Sequence, residues 1–153
     1  MKLLHRQSEK LLLLICPSLQ NASLQEISLV CDALIKAVKN GRVEFVTAVI
    51  NTNYTLVWTN ESETQTNIFM LAIVYRQNKV FQFLCRFLLK NTILSLVNND
   101  GNNILHMAAT LEPSARRNIV PGAAFLMQRE VQWFKVTSLT SYLFDVLSVL
   151  SYI

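Results

Sequence analysis

Asp100-Gly101-Asn102-Asn103-Ile104-Leu105-His106-Met107-Ala108-Ala109 sets a turn, a helix start and a small-residue packing face one after another, with nothing between them. Asp100-Gly101 is a turn signal, because glycine takes a positive φ at no steric cost. Asn103 stands where it can cap the helix that Ile104 opens, its side-chain oxygen accepting from an early backbone N–H. Leu105, Ala108 and Ala109 then fall on one helical face at spacings of three and four. Paired alanines on such a face let a neighbouring helix come close, which suits a stack of like units.

A stack requires copies, and the chain contains them. Asn67-Ile68-Phe69-Met70-Leu71-Ala72-Ile73 lies over Asn103 to Ala109, 36 positions upstream, and Leu34-Ile35-Lys36-Ala37-Val38 falls a further 35 positions back. Alanine at 37, 72 and 108 is the constant element. Each inner helix should be followed by an outer one. Gly41 to Ile50 and Asn78 to Leu89 supply two of these, the second without the glycine turn that Asn40-Gly41 gives the first.

The third copy resembles the ankyrin repeat, whose Gly-x-Thr-Pro-Leu-His-x-Ala-Ala core is matched by Gly101, Leu105, His106, Ala108 and Ala109, with Asp100 opening the turn. Asn103 and Ile104 replace the Thr and Pro. The expected fold is all-α: an ankyrin-type helical solenoid of two to three degenerate repeats with flanking helices. In that pattern the histidine, here His106, hydrogen-bonds to loop backbone of its own or the neighbouring repeat. A narrower match follows from Asn67-Ile-Phe-Met-Leu-Ala, from Tyr75-Arg-Gln-Asn-Lys-Val-Phe and from Pro121-Gly-Ala-Ala-Phe-Leu-Met-Gln-Arg-Glu-Val-Gln-Trp-Phe-Lys. These strongly resemble plant ankyrin-repeat proteins that carry a C-terminal PGG membrane domain. The resemblance implies stress and defence signalling at membranes.

Residues 1–20 form a leucine-rich stretch in which Leu4, Leu11, Leu14 and Ile15 share a helical face and Pro17 ends it, giving an N-terminal flanking helix. Ser23-x-x-Glu26 has capping-box spacing, with Ser28 an alternative cap. Asn51 to Thr66 is a polar finger. Residues 28–135 make up the repeat region. It closes on a capping helix, Gly122 to Lys135, whose apolar stripe of Ala124, Met127, Val131 and Phe134 should face the last repeat. Residues 136–153 diverge from the family pattern. This tail contains Asp145, and an acidic residue at the centre of a membrane span costs about 2.5 to 3.5 kcal/mol, so no span is expected here although the family is membrane-anchored.

Composition bounds the function. The chain has 153 residues, 52% of them hydrophobic and 16% charged, with a net charge of +4. Its basic residues are scattered apart from Arg116-Arg117, so no nucleic-acid stripe forms. Three cysteines, Cys16, Cys31 and Cys85, form no Cys-x-x-Cys pair and have no ligand spacing. No catalytic set, cofactor site or metal site is assembled, and no enzyme is expected. The expected location is the cytoplasm, or the cytoplasmic face of a membrane.

The functional expectation is a protein-interaction module of a plant ankyrin-repeat signalling protein, its partner an unidentified protein. Repeat register points to Lys36, Leu71 and Met107 as the outward positions, joined by Lys39 or Asn40, Val74 or Tyr75, and Thr110 or Leu111. Of these, Lys36, Lys39, Leu71, Tyr75 and Met107 are the candidate partner-binding residues, basic at one end and apolar beyond. Leu71, Tyr75 and Met107 could instead be covered by the finger around Tyr54 and Trp58. Two competing readings are a truncated, non-signalling fragment of a membrane-anchored ankyrin protein, and a cysteine hydrolase, for which a suitable second histidine is lacking.

Overall fold

The computed structural model describes residues 23–87, 96–110 and 123–150, and among them it is all-α. The N-terminal flanking helix expected over residues 1–20 lies outside the described residues. Among the described residues six α-helices follow in order: α1 (Leu24–Lys39), α2 (Val43–Thr52), α3 (Ile68–Val74), α4 (Asn78–Leu84), α5 (Ile104–Ala109) and α6 (Ala123–Leu150). Helix α1 packs on α2, α3 on α4, and α5 on α6. The first members of these pairs also stack in a row, α1 on α3 and α3 on α5, while α2 meets α4.

Local chemistry explains where the helices start. The Ser23 hydroxyl accepts from the Glu26 backbone N–H, and the Glu26 carboxylate accepts from the Ser23 N–H at 2.7 Å, so the capping box forms at Ser23 and not at Ser28. Asn67 caps α3 by accepting from the Phe69 N–H at 3.0 Å. Asn103 caps α5 by accepting from the His106 N–H at 3.0 Å, and His106 Nδ1 accepts from the Asn103 N–H at 3.2 Å. The histidine thus bonds to backbone of its own unit.

Helix ends repeat as faithfully. After α1, Gly41 adopts φ +66°, with Gly41 N–H donating to Val38 O and Arg42 N–H to Ala37 O. That is a Schellman motif, which satisfies carbonyls the helix leaves without partners. After α3 the same two bonds recur, from Arg76 N–H to Ile73 O and from Gln77 N–H to Ala72 O. Arg76 takes the left-handed conformation at φ +56°. The glycine turn is therefore kept in shape and not removed, an arginine doing what glycine does one unit earlier.

The core obeys the same 35-residue shift. Leu34, Ile35, Ala37 and Val38 are buried in α1, and Phe69, Met70, Ala72 and Ile73 in α3. In the outer layer Val46, Val49 and Ile50 correspond to Phe81, Leu84 and Cys85. Ala72 and Ala108 are almost wholly buried, as the close approach of α3 to its neighbours requires. Ile68 to Ile73 are all buried, apolar on every side, because among the described residues α3 alone of the inner helices has another on each flank. The finger before α3 carries a 3₁₀ turn, Tyr54–Trp58, that buries Leu56 and Val57, and an antiparallel bridge between Asn60 and Asn67. Asn99 N–H donates to Thr64 O at 3.1 Å, joining the finger to the turn before α5.

One expectation about the C-terminal part is corrected. Helix α6 runs through Lys135 without interruption. Its stripe of Ala124, Met127, Val131 and Phe134 faces solvent, Met127 being 70% exposed. The inward stripe is Leu126, Glu130, Trp133 and Thr137, at spacings of four, three and four. The reason is tertiary: turned this way, α6 sets Glu130 against the Arg76 guanidinium and Trp133 against the core.

Candidate functional site

Arg76 is the hub between the second helical pair and the C-terminal helix. Its guanidinium donates to Ile73 O at 2.9 Å, to Thr110 O at 2.7 Å and to Ala108 O at 3.4 Å, so it serves the carbonyl ends of both α3 and α5. The same group pairs with the Glu130 carboxylate and lies 5.6 Å from the Trp133 ring centroid. Removing either partner from such a half-hidden pair leaves the other charge poorly solvated. Left-handed backbone at a non-glycine residue is unfavourable, and here five side-chain contacts offset it.

Beside this hub a groove of about 540 Å³ opens between the turn from Tyr75 to Asn78 and the stretch of α6 from Arg129 to Val136. Its volume lies within the range of small-ligand sites. Tyr75 and Trp133 supply ring faces, and Gln77, Asn78 and Gln132 supply amides. Among the described residues the Trp133 indole nitrogen and Glu130 Oε1 are buried without a hydrogen-bond partner. No signal in the sequence placed α6 against Tyr75 to Asn78, because the contact depends on which face of α6 turns inward.

The expected partner-binding residues are dispersed by the structure. Leu71 is 3% exposed and belongs to the core, which removes it from any surface; register put it outward, but α3 is enclosed on all sides. Met107 is half-buried against the same core. Lys36 is exposed. Lys39 forms an ion pair with Glu61 of the finger and lies 5.5 Å over the Tyr75 ring, so these two residues are brought together. Burial works against both charges of the pair, pulling the Lys39 ammonium down and the Glu61 carboxylate up. Their mutual hydrogen bond and attraction, with a hydroxyl donated from Thr64 to Glu61, outweigh it. The result is a raised Lys39 and a lowered Glu61.

Within the third unit's fingerprint, Gly101 takes the positive φ of +74° that the turn requires, next to exposed Asp100. Ala108 is buried and Leu105 half-buried, but Ala109 is exposed. The packed pair on α5 is Ile104 and Ala108, one turn apart, in place of two adjacent alanines. No family model, curated protein or solved structure matches the chain.

The cysteine chemistry is unpromising where the side chains are described. Burial pushes the Cys85 thiol up to about 12, which keeps it protonated and poorly nucleophilic near neutrality. Cys31 lies 3.7 Å from the Thr59 hydroxyl. Cys16 lies outside the described residues. Among the described residues no helix is long and apolar enough to cross a membrane.

Proposed function

We propose that this chain is a protein-interaction module built as an ankyrin-type solenoid of two to three degenerate repeats, working in the cytoplasm or at the cytoplasmic face of a membrane. The observation that carries the reading is the 35-residue shift that relates the first two helical pairs in turn geometry and in buried positions. Bonding between the finger and the next turn, through Asn99 and Thr64, adds the lateral contact that a stacked array needs. Stacked units create an extended surface from equivalent positions, and such surfaces serve partner binding. The resemblance to the plant ankyrin proteins with a PGG domain supplies stress and defence signalling as the setting, with no cofactor or nucleic acid.

The test is capture from plant-cell extract by the full chain, beside a Lys36→Glu, Lys39→Glu variant shown by circular dichroism to be folded. A partner retained by the native chain and depleted at least about tenfold by the variant, roughly 1.4 kcal/mol, would bear the reading out. Recovery no greater than on a heat-unfolded control would overturn it.

A further inference from the structure

We propose that α6 pairs antiparallel with α6 of a second copy of this chain, through the outward stripe of Ala124, Met127, Val131 and Phe134. All four are exposed, Met127 by 70%, Val131 by 44% and Phe134 by 39%. Their spacing of three, four and three is the seam spacing of paired helices. The next position in the pattern is Ser138, so the apolar seam ends there. None of the four is charged. At 3.6 residues per turn the seam lies about 110° around α6 from the inward stripe, so a second helix can reach it beside the array.

The order of the side chains selects a second copy and the antiparallel sense. Their spacing reads the same from either end, and reversing one copy about position 129 sets Ala124 against Phe134 and Met127 against Val131. The smallest side chain thus meets the largest at both ends, with the two of middle size between them. Parallel pairing would set Phe134 on Phe134 and leave a gap at Ala124. Charge agrees with the antiparallel sense. Lys135, on the rim of the seam, stands about 18 Å along the axis from its copy, beyond the screening length, whereas a parallel pair would put the two side by side. Arg129 lies on the opposite side of the helix from the seam, and Glu130 on the inner rim is paired with Arg76. Area sets the strength. The four residues offer about 300 Å² of apolar surface per copy, taking 150 to 250 Å² for a whole large side chain. With the rim from Gln128 and Lys135 the pair buries about 900 Å², below the standard size of stable interfaces, which makes the dimer reversible with a Kd on the order of 10 to 100 μM.

The experiment is sedimentation equilibrium of the full chain from about 5 to about 500 μM, a range that brackets the expected Kd. A monomer–dimer equilibrium is expected within it. Met127→Glu should weaken the dimer at least about tenfold without changing the circular dichroism, since the side chain it replaces is exposed. Ala124→Phe, which sets phenylalanine on phenylalanine, should weaken it as well. Ala124→Phe combined with Phe134→Ala should restore it, because small again meets large at both ends. A chain that stays monomeric across the range, a dimer equally tight in Met127→Glu, or a double swap no tighter than Ala124→Phe alone would overturn the assignment. So would a monomeric chain that binds phosphatidylcholine vesicles and loses them in Met127→Glu, which would give the stripe to a lipid surface.

Discussion

Gln77 reaches back across the first two helical pairs and closes over Gly41. Its Nε2 donates to Lys39 O at 3.0 Å, and its Oε1 lies 2.2 Å from where a Cβ on residue 41 would stand. Gly41 is therefore required twice, once by its φ and once by its neighbour. Gly41→Ala should cost more than about 1 kcal/mol in urea unfolding. Adding Gln77→Ala should recover the contact part of that loss but not the backbone part, so a double-mutant cycle separates them. Simple additivity would show that the Gln77 contact yields without cost.

Arg76 permits a matched pair of substitutions. Arg76→Ala keeps the unfavourable φ while losing the clamp, and should destabilise by about 3 to 5 kcal/mol. Arg76→Gly loses the clamp but relieves the backbone, so it should be the more stable of the two by about 1 to 2 kcal/mol. Equal stabilities would mean that the turn relaxes away from φ +56° once the side chain is gone.

The Lys39–Glu61 pair predicts an acid limb. Glu61 is lowered in the folded protein from its ordinary value near 4.5. Its contribution to stability is complete above that value and is lost as pH falls through the lowered one. Thermal midpoints measured between neutral pH and that range should fall less steeply for Glu61→Gln than for the native chain. Parallel curves would assign the acid sensitivity elsewhere.

The α5 alanines differ in the same way. Ala108→Leu should overpack the junction with α3 and cost about 1 to 3 kcal/mol, whereas Ala109→Leu on the exposed side should stay within about 0.5 kcal/mol. Calorimetry of the two variants checks this, and a reversed order would refute the register given for α5.

What the sequence disclosed depended on how far each signal reached. The caps at Ser23 and Asn103, the turns at Gly41 and Gly101, and the burial of Ala37, Ala72 and Ala108 are all written within a few residues. They were legible for that reason. The enclosure of Leu71 was not, since it follows from α3 having a helix on each flank. Nor did the stripe of Met127, Val131 and Phe134 reveal that α6 would turn it outward, because the orientation goes with contacts to the core and to a residue 54 positions away. An arginine in a left-handed turn has no local signature at all. The groove inherits this opacity, as both of its walls depend on Arg76.

The position of Arg76 also bears on how the molecule comes apart. Its carbonyl acceptors belong to two inner helices and its carboxylate partner to the last helix, so three segments distant in sequence share one side chain. Loss of α6 would leave the turn after α3 strained and the carbonyl ends of α3 and α5 short of a donor. Amide protons in α5 should then exchange with solvent together with those of α3, and the short six-residue helix, too brief to persist alone, would gain its lifetime from the larger unit.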